Sequence, residues 1–517
     1  MGHGAVMGGP QAVSFDVAVI GGGITGASAV NHLAAAGFST VLLERADFAG
    51  GTSSRSSRLQ HCGLTYFSPG RSIWNFLRNP RMAIEHMELA RRAMRDRSDF
   101  VRATPTRTRA IGFYMPLYRR EGIPLWKARL GFALLRALDP GGVPLDFKPM
   151  SAREIAAMPA LSHLRDRQDL SGVIRFTEYQ FDWPERICVD TVLNARDLGA
   201  VTRNYTEVTS VRRQPDGRWR LELLDRRTQA RETLEARAVV NAAGAWVDGI
   251  AAASGLSVPK INQGLKGTNV VVRLPPEFRG IAIETALPNG DPFYVIPWRD
   301  LHYFGPRDEP HEPEVASFRA DEATIRGLLD DFNSVFPDIA LSRKDVLYSW
   351  AGVRPRTARA GHPDGCEAVL LHDMAQHGAP GYFVYTGGLI MTHRHAGASI
   401  AKALSGRMAP SGPARAISHA ARQFPQAAGA GISTGGEAIP LDHLRFSAAH
   451  EQVVNLDDLM FRRFPIGWSE GMGLDVAEAV AEGVGDIMGW SPAEVGAQVQ
   501  RYRAQVAQDF GVREPCA

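Results

Sequence analysis

The stretch from Asp16 to Glu44 constrains this chain more than any other. Asp16-Val17-Ala18-Val19-Ile20 carries an apolar, β-branched run that feeds without a spacer into Gly21-Gly22-Gly23-Ile24-Thr25-Gly26. A helical pattern follows and ends near Gly37; a second apolar run, Thr40-Val41-Leu42-Leu43, then closes on an acid, Glu44. Strand, glycine turn, helix, strand and acid, in that order, make a dinucleotide-binding βαβ unit. Gly21 permits the tight turn, Gly23 lets the backbone approach a pyrophosphate, and Gly26 lets the helix pack on the strand. The helix N-terminus offers free N–H groups and a positive dipole end to phosphates. Glu44, about twenty residues on, can accept hydrogen bonds from ribose hydroxyls. A lone GxGxxG can be a decorative loop; both strands, the helix and the acid together argue against that here.

The residues after Glu44 bear on the choice of dinucleotide. An NAD-binding unit continues into another strand–helix repeat. Here the chain runs Arg45-Ala46-Asp47-Phe48-Ala49-Gly50-Gly51-Thr52-Ser53-Ser54-Arg55-Ser56-Ser57-Arg58. Its hydroxyls, amides and guanidiniums suit a longer diphosphate ligand, FAD, whose flavin must be carried away from the βαβ unit. Gly/Ser composition alone also fits a solvated linker.

At 517 residues the chain exceeds one hydrophobic core and should hold two or three domains. Hydrophobic residues at 44% and charged residues at 22% are ordinary for a globular protein. A net charge of +3, with no basic run interleaved with aromatics, gives no ground for nucleic acid. Cys62, Cys188, Cys366 and Cys516 are widely spaced and form no CxxC pair, so they read as reduced thiols of a cytosolic protein, with no metal site. No run of about 18 apolar residues suggests a spanning helix, and Met1–Gln11 lacks the pattern of a secretory signal.

The expected class is α/β (α+β overall): a Rossmann-like FAD-binding domain interleaved with an antiparallel-sheet substrate domain, plus a C-terminal α-helical domain. Residues 14–75, 186–255 and 345–410 are assigned to the FAD-binding domain, 76–185 and 256–344 to the substrate or cap domain. Residues 411–436 read as a linker and 437–517 as the helical domain. Gln214-Pro215-Asp216-Gly217 marks a hairpin turn. Val239–Trp246 and Tyr382–Gly388 read as strands returning to the flavin sheet, while Lys266–Arg273, Phe293–Pro297 and Leu301–Gly305 read as an antiparallel roof over it. From Arg71 to Arg136 there are 15 Lys/Arg against 5 Asp/Glu. Within that region, Ile123–Arg136 mixes Trp, Phe and Leu with basic residues, as an interfacial helix on anionic lipid does; a core helix with a solvated basic face is the competing reading.

Thr52-Ser53-Ser54-Arg55-Ser56-Ser57-Arg58-Leu59-Gln60-His61-Cys62-Gly63-Leu64-Thr65-Tyr66 resembles the flavin-contacting segment T-S-S-x-S-S-K-L-I-H-G-G-L-R-Y of FAD-dependent glycerol-3-phosphate dehydrogenases. The likeness continues in order. Val239-Val240-Asn241-Ala242-Ala243-Gly244-Ala245-Trp246 is similar to V-N-A-T-G-P-W, and Leu265-Lys266-Gly267-Thr268-Asn269-Val270-Val271-Val272 to K-G-S-H-I-V-V. Phe293–Trp298, Ala351–Pro355 and the tail Asn455–Arg463 also match. The resemblance implies bound FAD, held non-covalently, a hydride taken from a secondary alcohol, electrons passed to quinone or another acceptor, and peripheral membrane contact through residues 71–136. With the cysteines pointing to a cytoplasmic location, the inner face of the cytoplasmic membrane is the surface on which such contact would fall.

On this reading the candidate FAD contacts are Gly21, Gly23, Gly26, Glu44, Arg45, Thr52, Ser53, Ser54, Ser57, Arg58, Leu59, His61, Gly63, Ala243, Gly244, Trp246, Gly388 and Leu389. A base with a pKa near working pH must take the hydroxyl proton, which points to histidine; His61, His393 and His395 are the candidates, each also readable as a structural histidine. Arg354 is the expected anchor for a phosphate or carboxylate and counts with His61 and His393 as catalytic; a structural ion pair is its alternative role. Arg356, Thr65, Tyr66, Lys266, Thr268 and Arg394 complete the expected substrate site. Two family cations are replaced, an arginine by Thr65 and a lysine by Leu389. Each charge-assisted bond contributes about 1.5–3 kcal/mol, so glycerol 3-phosphate as the exact substrate does not follow from the resemblance; the expected substrate is glycerol 3-phosphate or a related small phosphorylated polyol, oxidised at its secondary hydroxyl to a ketone. An oxidase of a small hydroxy acid or amino acid is the alternative, because Gly352–Thr357 resembles the carboxylate-binding segment of that group. A flavin-holding protein without activity is the non-enzymatic reading. Cys62 beside the flavin reads as a packed thiol, with covalent attachment or redox sensing as less favoured roles.

Overall fold

The first strand, β1 (Ser14–Ile20), is apolar on both faces because both are covered: Val17 and Val19 pack into one buried cluster, Ala18 and Ile20 into another. That two-sided burial is the mark of a parallel strand inside an α/β sheet. The structure, a computed structural model, describes residues 13–62, 80–121, 124–311, 318–359, 362–366, 369–435 and 437–511. β1 pairs in parallel with β2 (Thr40–Leu43) and with Arg231–Asn241, which pairs in parallel with Tyr382–Thr386. β2 continues in parallel to Val201–Arg203. The chain therefore returns three times to one sheet. Helix α1 (Ile24–Ala35) lies on one face with the helices Pro184–Asp197 and His393–Ser405. The antiparallel hairpin Thr206–Arg213/Trp219–Asp225 covers the other face, and its turn contains Gly217 at φ +86°.

A second sheet supplies the roof. Asn262–Val272, Pro292–Trp298, Leu301–His311 and Val346–Arg359 are joined antiparallel, and Thr108–Tyr118 pairs antiparallel with Leu170–Phe181. One join departs from the expected pattern: Ile281–Ala286 runs parallel to Thr108–Tyr118. One side of this sheet packs the helix Glu322–Val335. The other side shares a continuous core with the C-terminal helices, in which Trp298, Tyr303 and Trp350 meet Phe461, Trp468 and Phe510. The C-terminal region is thus no free-standing appendage; its apolar face is spent on the roof.

The stretch expected as a linker is pinned rather than loose. Gly412 N–H bonds Gly37 O at 2.9 Å, Arg415 N–H bonds Ala35 O at 2.7 Å, and the amides of Asn31 and Asn194 reach Ser418 O and Ala420 O. Its end forms a strand, Gly431–Thr434, paired with Glu437–Pro440. In the basic region, the helix Leu125–Leu138 buries Ala128, Phe132 and Leu135 and leaves Trp126 and Leu130 about 60% exposed.

Candidate active site

Two close approaches build the dinucleotide turn. Gly21 has φ +102°, and a Cβ there would stand 2.7 Å from Ala242 O, just past the end of the neighbouring strand Arg231–Asn241. A Cβ on Gly26 would stand 1.8 Å from Gly21 O, so any side chain forces the helix away from the turn. α1 then begins with no capping side chain from Gly23 and no acid in its first turn, the state of a helix end open to an anion. Ser53 Oγ accepts from Ile24 N–H at 3.0 Å. The Glu44 carboxylate accepts from Gly22 N–H at 2.6 Å and Ala46 N–H at 2.9 Å, bracing the turn against the following loop. Burial pushes its carboxyl above the usual range.

A cavity of about 390 Å³ extends from this turn. Gly21, Gly23, Glu44, Arg45, Thr52, Ser53, Ser57, Arg58, Leu59 and His61 line it. So do Ala243, Gly244 and Trp246 after the Arg231–Asn241 strand, and Gly388 and Leu389 after the Tyr382–Thr386 strand. Arg45 lies over the Trp246 ring at 4.5 Å, and the Trp246 indole N–H is buried without a hydrogen-bond partner. Gly26 and Ser54 do not line it; Gly26 serves the helix–turn contact, and the Ser54 hydroxyl donates to Ala49 O. Gly63, Thr65 and Tyr66 lie outside the described residues.

The substrate candidates separate. Arg354 lines the cavity and pairs with Asp308, its side chain 40% exposed. Lys266 and Thr268 do not line it. On their strand Gly267 and Asn269 do, because successive side chains alternate between faces. Lys266 instead pairs with Asp321 at 2.5 Å. Arg356 lies further along the Arg354 strand and is not part of the wall. His393 starts its helix buried, with Nδ1 on Ile390 O at 2.7 Å and its ring edge-on to Phe100. Burial, with Arg394 nearby, lowers its pKa to about 3, so its placement and its basicity both speak against the proton-acceptor role. Arg394 stacks over Phe100 and donates to Asp99 O, and His395 is likewise absent from the cavity wall.

Asn269 is the residue that motif reading missed. It is buried, lines the cavity, and its Oδ1 has no hydrogen-bond partner. It stands where the K-G-S-H-I-V-V segment carries histidine, and a polar residue entering the apolar run Val270–Val272 was the available signal. Arg55, Gly352 and residues 206–208 also line the cavity. Gly352 is required by proximity, since a Cβ would stand 2.7 Å from Arg55 Cβ. Cys62 is fully buried outside the cavity, its N–H on Glu178 Oε1 at 2.8 Å. Burial and Glu178 push its thiol well up, which keeps it a packed S–H.

The helix end without an acid in its first turn, the close-approach glycines, the braced acid and the unpartnered Trp246 N–H fit a dinucleotide diphosphate. A parallel sheet with this turn, roofed by an antiparallel sheet over one shared cavity, defines a flavin-type oxidoreductase fold. The family model described as FAD dependent oxidoreductase (DAO) matches residues 16–404, and the chain belongs to that family. Its cofactor is FAD. D-erythritol 1-phosphate dehydrogenase of Brucella abortus is 31% identical over 393 residues, 73% of this chain and 71% of that protein. Glycerol-3-phosphate dehydrogenase of Synechocystis is 26% identical over 418 residues, 78% of this chain and 72% of that protein. The fold is that of glycerol-3-phosphate dehydrogenase from Bacillus halodurans complexed with FAD, with a TM-score of 0.70 at 21% identity over 96% of this chain and 95% of that one.

Proposed function

We propose that the protein oxidises the secondary hydroxyl of a small phosphorylated polyol, glycerol 3-phosphate or a related compound such as an erythritol phosphate, to a ketone. The observation that carries this reading is that His61 and Arg354 line the same cavity as the glycine turn. The names of the relatives in Brucella and Synechocystis point to the same substrate class. Bound FAD supplies the hydride acceptor. His61 takes the hydroxyl proton, because imidazole is the side chain suited to accept and release a proton near neutral pH. Arg354 offers a guanidinium fork to the phosphate, a geometry that a point charge does not reproduce. Asn269 adds a buried polar side chain to the same wall. Leu389 gives the wall an apolar side chain where the resembling family has lysine, so Arg354 carries more of the anion binding.

Electrons then pass to a quinone or another acceptor at the membrane. Exposed Trp126 and Leu130 beside Lys127 and Arg129 suit an anionic lipid surface. Among the described residues no helix is long and apolar enough to cross a membrane.

Anaerobic stopped-flow mixing, followed at the flavin absorbance, tests the assignment. Glycerol 3-phosphate or an erythritol phosphate is expected to bleach the flavin rapidly. Bleaching by amino acids or hydroxy acids alone would overturn it.

A further inference from the structure

The segment 45–58 that wraps the cavity has little structure of its own. It contains a turn at residues 48–51, a single 3-10 turn, Thr52–Ser54, and two non-glycine residues in left-handed backbone, Ala49 at φ +61° and Arg58 at φ +54°. Such backbone persists only where the surroundings over-determine it. Part of the surroundings is the cofactor unit and the roof: Ala49 N–H donates to Gly22 O at 3.0 Å, Phe181 N–H to Arg58 O at 2.8 Å and Thr52 Oγ1 to Val353 O at 2.6 Å. The rest comes from the far end of the chain, beyond residue 404 where the family model stops.

There are three grips. Asp47, with its side chain fully buried, receives both Nη atoms of Arg463 at 2.6 and 2.9 Å and Nε of Arg462 at 2.6 Å. Both arginines are fixed in turn, Arg463 on Glu451 O and Arg462 on Asp457 and Asp458. Arg55 donates to Asp509 at 3.0 Å and lies 4.3 Å over the Phe510 ring. Arg58 sits between the rings of Trp468 and Trp298, at 4.1 and 4.2 Å, and pairs with Glu185 at 2.8 Å. Arg55 and Arg58 themselves line the cavity, and Ala46, beside Asp47, does too.

We infer that the C-terminal helical region is a positioning element of the FAD site: Arg462, Arg463, Trp468 and Asp509 hold residues 45–58 in the shape the cofactor requires. FAD binding and docking of the C-terminal helices are therefore coupled. Coupling of this kind is reciprocal and has a usual size of about 5–150-fold in affinity. Arg462, Arg463, Trp468 and Asp509 act through segment 45–58 and are assigned no role in the chemistry.

The test uses the full chain stripped of FAD. FAD affinity is read by quenching of the cofactor's fluorescence for Arg463→Met, Asp47→Asn and the double variant, with circular dichroism as the folding check. Arg445→Ala, which breaks an exposed ion pair with Asp486 inside the C-terminal region, is the control. Expected is a weakening within that 5–150-fold range for each single variant, a double-variant loss smaller than the product of the two, and no change for Arg445→Ala. Folded variants that bind FAD within twofold of the parent would overturn the inference. If Arg463→Met does not fold, hydrogen exchange of the parent decides. FAD is expected to slow exchange at 458–463 and 492–510, and unchanged exchange there would overturn it.

Discussion

Arg354→Leu removes the one substrate-site cation that the structure brings to the cavity wall from the group expected there. A hydrogen bond to a charged group contributes about 1.5–3 kcal/mol. The Arg354 side chain is 40% exposed and already pairs with Asp308, so solvent screening and competition put its net contribution at the lower end, about 1.5–2 kcal/mol. That corresponds to roughly 10–30-fold in kcat/KM. Because the phosphate is remote from the reacting carbon and is bound alike before and during hydride transfer, most of the loss should fall on KM. Asp308→Asn has the opposite sign: it frees the guanidinium and should lower KM for a phosphorylated substrate. The assay is steady-state reduction of a dye acceptor, with glycerol 3-phosphate compared against its unphosphorylated polyol. An Arg354 that merely ties two strands together would make both variants worse and treat both substrates alike. Either that pattern, or an Arg354→Leu enzyme within twofold of the parent, refutes the anchor role.

Leu389→Lys restores a cation at the cavity wall and should improve kcat/KM for phosphorylated substrates by about tenfold or more; an unchanged value means that residue 389 does not meet the anion. Gly26→Ala pushes a methyl group onto Gly21 O, so the purified variant should carry much less flavin by its visible absorbance, and full occupancy would contradict the tight helix–turn contact. Glu284 is pushed up to about 8 by burial and by Glu178. The folded state therefore favours its neutral form, and its stabilising contribution is complete below about pH 4.5 and is lost as pH rises towards 8. Glu284→Gln should match the parent Tm at pH 5 and exceed it at pH 8.5, whereas equal Tm values at both would reject that ionisation. Trp126→Ser with Leu130→Ser should reduce co-sedimentation with anionic vesicles, and undiminished binding would remove that helix as the membrane contact.

The dinucleotide unit was legible because everything that forms it is local: two apolar runs, three glycines and an acid within thirty residues. Sites built by strand parity were harder. Lys266 and Thr268 attracted attention as polar residues in a motif, yet Gly267 and Asn269 face the cavity. One residue of offset on a strand reverses the face, and no local signal fixes which face meets the ligand. His393 failed for a similar reason. Leu389, Ile390 and Met391 line the cavity, but the chain turns into a helix at His393, and the helix directs that ring against Phe100.

The run Asn455–Arg463 carried only likeness in the sequence, since a DD…RR pattern reads equally well as a solvated face. Its physical content lies in a partner 416 residues earlier, Asp47. A fully buried carboxylate without a cation would not stay charged, and a buried arginine without an acid would destabilise the fold. Burial raises the Asp47 carboxyl, yet Arg463 and Arg462 hold it down to about 2, and those two arginines need Asp47, Asp457 and Asp458 in return. Neither half of that cluster can be buried before the other arrives. The amino-terminal cofactor unit is therefore finished only when the last helices dock, and a chain stopped after the family region would leave the Asp47 carboxylate without either arginine beside the loop that must receive FAD.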